Sequence, residues 1–209
     1  MKPAPDHPDS PPVAAPPNLI YELPSIVERL NLAQLFSKPQ PLAVELGCGD
    51  ASFIAEYSGL HPECNFIGVE RLLGRLRKLD KKGRRAGLTN LRGVRIENAY
   101  FLEWLLPKNS ASAVHVYFPD PWPKLKHRRH RLINERFPAL AHAALVRGGK
   151  VFLRTDHEDY FEQMQTVFAA SRLFKPAETP AELADVVTDF ERDFLAEGIQ
   201  TRRVAYAAV

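Results

Sequence analysis

The segment Phe118–Arg131 reads FPDPWPKLKHRRHR, setting one carboxylate, Asp120, and one indole, Trp122, among Pro119, Pro121 and Pro123 before a run of cations. Proline fixes φ and removes a backbone donor, so the three rings stiffen the chain around the carboxylate and thin out the amides it could accept from. A carboxylate held still in this way can accept from the N–H groups of a heterocycle, or stabilise positive charge that grows during a reaction. A second group of residues lies upstream. Val44–Ser52 (VELGCGDAS) reads as a strand, a Gly-x-Gly turn at Gly47 and Gly49, and a helix start, with Glu45 close to the first glycine. Glu70 follows Gly49 by 21 residues, the spacing at which a carboxylate ending the second strand grips a ribose diol.

These residues discriminate between nucleotide-like ligands. A dinucleotide needs a seat for its pyrophosphate, and the usual third glycine is replaced here by Ser52. Glu45 at the same mouth would repel phosphate. S-adenosylmethionine carries no phosphate; it presents a ribose diol, an ammonium and a sulfonium, which suit Glu45 and Glu70. That chemistry disfavours a nicotinamide-dependent oxidoreductase. Asn98, read as closing the third strand, can hydrogen-bond an adenine edge; a turn or cap role explains it equally well.

The elements that must position these groups alternate along the chain. Strands are expected at Leu42–Leu46, Asn65–Glu70, Val94–Asn98, Ala113–Phe118 and Lys150–Thr155, with Gly148-Gly149 as the turn into the last of them. Helices are expected at 51–59, 71–86, 99–106, 132–145 and 157–170, followed by a late helix and a final strand, Arg203–Ala208, at an antiparallel sheet edge. Ser25 and Glu28 have capping-box spacing and predict a first helix from Pro24. Apolar strands separated by helices imply βαβ units, hence a mostly parallel sheet covered on both faces. Residues 1–18 hold seven prolines and little to bury, and are expected to form a disordered tail before a single domain, 19–209.

Composition narrows the class. The 209 residues suffice for a full core, no apolar run reaches the ~20 residues a membrane span requires, and the N-terminal residues lack the apolar centre of a signal peptide. Cys48 and Cys64 are too few for a disulfide framework. A cytoplasmic protein with no membrane partner is expected, as monomer or homodimer. The histidines show no ligand spacing with cysteines or acids, so no metal is expected. Charge is segregated: residues 71–85 carry a local +7 and residues 124–131 a local +5, which with the overall +3 leaves −9 on the remainder. Arg71, Arg75, Lys78, Lys82 and Arg85 share one helical face, beside an apolar stripe of Leu72, Leu76, Leu79 and Gly83 expected to pack on the sheet. Two cationic stretches point to a polyanion as partner.

The combination ELGCG, GVE, FPDPWPK with HRRHR, RTDHEDY and the late TDFE resembles the bacterial tRNA (guanine-N7)-methyltransferase family from about residue 20 onward. FPDPWPK is the most specific of these motifs; ELGCG is common to many methyltransferases. The resemblance implies a Rossmann-like, seven-stranded α/β fold, S-adenosylmethionine as cofactor, and tRNA as partner, with methyl transfer to the variable-loop guanosine at tRNA position 46. It also implies roles. Glu45, Glu70, Asn98 and Asp120 match cofactor positions, Asp120 also matches the catalytic residue, and Lys124, Asp156, Thr188, Asp189, Phe190 and Glu191 match guanosine-binding positions. Read without the family, Thr155–Glu158 and Thr188–Glu191 are simple capping boxes. Two alternatives remain open at this level: an RNA-binding module that keeps only the shell of the fold, and a methyltransferase acting on amino groups.

Overall fold

The computed structural model describes residues 18–209; of the proline-rich tail only Asn18 falls within them, and the expectation of disorder concerns residues that lie outside. In chain order the strands are β1 (Ile20–Tyr21), β2 (Leu42–Leu46), β3 (Asn65–Val69), β4 (Leu91–Val94), β5 (Ala111–Tyr117), β6 (Leu145–Thr155), β7 (Phe174–Ala177) and β8 (Arg202–Ala208). The helices are α1 (Leu32–Leu35), α2 (Ser52–Leu60), α3 (Leu73–Arg85), α4 (Asn98–Tyr100), α5 (Phe137–Ala144), α6 (Glu158–Ala169), α7 (Ala181–Asp185) and α8 (Asp189–Ala196). A π-helical turn, Phe101–Leu105, continues α4, and a 3₁₀ segment spans Leu125–His130.

The strands form one sheet in the order β1-β4-β3-β2-β5-β6-β8-β7. Every pairing from β1 to β6 is parallel, and β8 is antiparallel to both β6 and β7. The order reverses at β2, which lies between β3 and β5. At such a switch point the crevice outside the strands' carboxyl ends is open to a ligand. All five residues of β2 and of β3 are buried, as expected of central strands covered on both sides. One apolar cluster joins α5 and α6 to the sheet, with Phe168 stacked on Tyr206 at 4.1 Å between ring centres. The other places α2 and α3 on the opposite side.

Several expectations are corrected. The sheet has eight strands rather than seven, because Ile20–Tyr21 pairs with Gly93–Val94 at the edge. No helix forms from Pro24. The segment is docked on the π-helical turn instead: Tyr100 Oη donates to the Ile26 carbonyl, the Leu30 N–H to the Leu105 carbonyl, and the Arg29 guanidinium to the carbonyls of Glu103 and Leu106. The third strand lies at Leu91–Val94, not Val94–Asn98, and Asn98 begins α4. Gly93, inside this strand, serves packing: a Cβ there would stand 2.8 Å from Leu76 Cδ1, so α3 approaches the sheet only over a bare backbone. Strand β7 escaped notice, since it is short and holds Pro176, which is tolerated at an edge. Gly148 and Gly149 form an irregularity inside β6, where pairing jumps from Leu145 to Lys150 while β5 advances only from Ala111 to Ala113.

Candidate active site

At the carboxyl ends of β2, β3 and β5 a cleft of about 430 Å³ is lined by Gly47, Glu70, Asn98, Asp120 and Trp122, among others. Four of the residues singled out in the sequence thus meet in one place. Gly47 and Gly49 adopt φ of +76° and +55°, conformations that side chains disfavour. The N–H groups of Gly47 and Cys48 both donate to the Val69 carbonyl, at 2.9 and 3.0 Å, which fastens the turn to the end of β3. A Cβ added at Gly47 would lie 3.3 Å from Asn98 Nδ2, so the glycine leaves room for that amide. Glu70 is buried and accepts from the Leu72 N–H at 2.8 Å, with Arg75 at 3.9 Å. Ser52, the residue in place of a third glycine, accepts from the Asp189 N–H at 3.0 Å.

Glu45 lies behind this surface rather than on it. Its carboxyl is 3 % exposed, and Oε2 has no hydrogen-bond partner among the described residues. Burial pushes its pKa up to about 8, against the pull of Arg154; Asp50 and Glu70 push it the same way. A buried carboxyl with an unanswered oxygen is suited to receive a cation or a donor. With the Glu70 carboxylate, the Asn98 amide and the bare backbone at Gly47, the donor set fits a cationic, diol-bearing nucleoside and offers no seat to a pyrophosphate.

The proline loop bears marks of constraint. Phe118 and Trp122 stand at φ of +49° and +41°, in the left-handed region uncommon for residues with side chains. The loop is held from two directions. The Phe118 N–H donates to the Arg154 carbonyl at 2.9 Å, and Arg131 Nε donates to the Pro121 carbonyl at 2.7 Å. Arg131 is fully buried, over the ring of Tyr160 (4.6 Å) and bonded to Gln163 and Asp159. Asp120 itself is exposed at the cleft. Trp122, 37 % exposed, lines the cleft too, with its ring 5.3 Å from His130 and 5.9 Å from His127.

Other residues fall elsewhere. Lys124 is exposed on the loop, outside the cleft lining. Asp156 borders a shallow acidic depression with Glu158, Asp159 and Glu162. Thr155 does not cap α6: its Oγ1 accepts from His157, and His157 is the N-cap. Thr188 does cap α8, accepting from the Glu191 N–H at 3.0 Å. Asp189 faces Lys82 at 3.3 Å, Phe190 is half-exposed, and Glu191 is fully buried between Arg154 and Arg203. The cationic stretches are also less uniform than their composition suggests. Arg131 is internal, Arg128 pairs with Asp159 at 2.8 Å, and Lys82 bridges Asp50 and Asp189. Leu72, expected in the buried stripe, is exposed at the start of α3, whereas Leu76, Leu79 and Gly83 are buried. Sequence reasoning missed Arg131 and Arg154 altogether. The first sat in a charged run and the second in an apolar strand, and no local pattern marks either as internal.

The architecture is that of the class I methyltransferases. Superposition on the 30S ribosomal A1408 methyltransferase from an uncultured bacterium gives a TM-score of 0.62 at 13% identity over 85% of this chain and 92% of that one. The 16S rRNA methyltransferase KamB gives 0.59 at 17% identity over 85% and 91%. In sequence, residues 39–203 match the family described as "Putative methyltransferase". The tRNA (guanine-N(7)-)-methyltransferase of Geobacter metallireducens is 34% identical over 83% of this chain and 85% of its own length. That of Rubrobacter xylanophilus is 40% identical over 65% of this chain and 60% of its own, and that of Thermotoga maritima 32% identical over 82% and 55%. The chain belongs to the tRNA (guanine-N(7)-)-methyltransferase family.

Proposed function

We propose that the protein transfers the methyl group of S-adenosylmethionine to N7 of the variable-loop guanosine of tRNA. The observation that carries this reading is the meeting, in one cleft, of Gly47, Glu70 and Asn98 with a constrained loop that ends its strand on Asp120. Glu70 holds the ribose hydroxyls and Asn98 the adenine edge, and the Glu45 carboxyl, behind the Gly47 turn, acts on the cationic amino-acid end through its charge rather than by contact. The cofactor, when bound, supplies an electrophilic methyl group.

The residues of the loop account for what this reaction demands. Guanine N7 has a free lone pair, so no general base is required, and the protein's task is alignment and exclusion of water. Asp120 accepts from N1–H and the exocyclic amine, which separates guanine from adenine, and its charge stabilises the positive ring that develops. Trp122 offers a face for a base, an interaction of ~1–3 kcal/mol. Support for tRNA as the partner comes from α3, where Lys78 and Arg85 are exposed and carry no ion pair among the described residues. Incubation with labelled S-adenosylmethionine and unmodified tRNA, followed by nucleoside analysis, tests the proposal. The expected product is 7-methylguanosine; label on an exocyclic nitrogen, or none, overturns it.

A further inference from the structure

One guanidinium sits where the cofactor side, the proline loop and the late TDFE segment converge. Arg154, at the end of β6, is buried to 1 % exposure. Its Nη1 donates to the Val186 carbonyl and to Glu191 Oε2, both at 2.9 Å, and its Nη2 to the Leu183 carbonyl. It lies 4.2 Å over the ring of Tyr117, the residue that leads β5 into the proline loop, and 5.5 Å over Phe53 of α2. The Arg154 carbonyl takes the Phe118 N–H, and the Phe118 ring stands 5.5 Å from that of Phe194 on α8. Arg203 of β8 binds the other oxygen of Glu191. Glu191 therefore has both carboxylate oxygens occupied and no exposed surface.

We propose that Arg154 is a positioning residue for tRNA binding, which ties the segment Leu183–Glu191 to the strand that leads into the Asp120 loop, with Glu191 as its anchor. The inference rests on the tRNA methyltransferase reading above. Two geometric features require arginine. The planar fork reaches two backbone carbonyls and a carboxylate together, and it lies flat on an aromatic ring; an ammonium at the same place does neither. The cation also acts on Glu45, which faces Arg154, Asp50, Glu70 and a backbone hydrogen bond from Ile54. Arg154 is the sole cation in that set, so it favours the ionised form of Glu45.

Arg154→Lys and the double variant Arg154→Met with Glu191→Met test this in steady-state tRNA methylation, next to calorimetry of S-adenosylmethionine binding against pH. The double variant removes both members of the fully buried pair and leaves only the partly exposed Arg203 without its partner, so a thermal melt of the variant is read before its kinetics. Both variants are expected to raise KM for tRNA about tenfold or more, while kcat at saturating tRNA stays within about threefold of the parent. Arg154→Lys, which keeps the charge, is expected to retain the parental pH midpoint of cofactor binding. A folded double variant with parental KM overturns the inference, as does Arg154→Lys with parental KM. If the parent protein itself yields no 7-methylguanosine, the functional reading fails instead, so the two failures are distinguishable.

Discussion

Two buried arginines flank the cleft, and they hold their loops on different terms. Arg131 pins the proline loop through the Pro121 carbonyl and leans on Asp159, a carboxylate whose side chain is 35 % exposed. Arg154 pins the segment before α8 through two carbonyls and leans on Glu191, which is 0 % exposed and shared with Arg203. A charge left alone in a dry interior costs far more than one that water can reach. The loop bearing Asp120 is thus fastened by a tie with one wet end, and the Thr188–Glu191 segment by a sealed one. The loop compensates with local stiffness, from Pro119, Pro121 and Pro123 and from left-handed Phe118 and Trp122. The late segment holds no proline between Ala181 and Glu191 and depends on the buried pair for its place.

The comparison can be broken most decisively at the carboxylates. Glu191→Ala strands two arginines and is expected to lose roughly 3–5 kcal/mol of stability in urea unfolding, the range for a broken buried pair. Asp159→Ala, with Gln163 and Pro121 still bonded to Arg131, is expected to lose clearly less, since water reaches the site of the lost carboxylate. Equal losses would show that the burial of the partner does not govern these ties. Asp120→Ala is expected to slow methyl transfer by about 30- to 1,000-fold, from ~2–4 kcal/mol of lost charge stabilisation, without altering unfolding, since Asp120 is exposed. A destabilised variant would make Asp120 part of the loop's scaffold.

Glu45 yields a subtler test. Its carboxyl, raised to about 8 by burial, is protonated in the free protein at pH 7. Capture of a cationic ligand favours the ionised form, so cofactor binding is expected to release up to one proton at pH 7 and to tighten as pH rises toward 8. Calorimetry in buffers of different ionisation enthalpy measures that proton, and Glu45→Gln is expected to abolish it. In the free protein the sign is opposite. A carboxyl raised from 4.5 disfavours the folded state progressively as pH climbs from about 4.5 to about 8, so the same substitution is expected to flatten that decline in thermal melts. The smallest effects belong to the surface of α3. Charge reversal at Lys78 and Arg85 is expected to weaken tRNA binding at moderate salt and to lower the slope of log K on log salt by roughly 0.7–0.9 per lost phosphate contact, sparing cofactor affinity. An unchanged slope would remove that helix from the interface.

Much of the fold was legible because it rests on local patterns. Leu42–Leu46 emerged with the expected bounds, and α2, α3 and α6 within two residues, since burial on both faces or on one stripe imprints itself on neighbouring positions. The strand Leu91–Val94 was expected at Val94–Asn98, since the reason for a glycine inside it, the side chain of Leu76 on α3, lies far from it in the chain. The Ser25–Glu28 spacing misled because the segment docks through the Ile26 carbonyl and the Arg29 guanidinium on Tyr100–Leu106 rather than closing a helical turn. At the site, Gly47 and Asp120 were nameable from motif and Glu70 from its strand end, whereas Asn98 was named as the end of a strand that stops at Val94. What those motifs do not disclose is which carboxylate faces the cleft and which is internal.

Read alone, the chain determined the kinds of group available at the rim: a bare turn, carboxylates at strand ends, a proline-stiffened loop and cationic runs. These are properties of residue type and short spacing, and no folding is needed to know them. Only the tertiary structure decided solvation: that Glu45 and Glu191 are dry, that Arg131 and Arg154 are internal, and that Lys82 is already engaged by Asp50 and Asp189. The physical reason is that a charge's energy depends on everything within several ångströms of it, and for these residues nearly all of that comes from elsewhere in the chain.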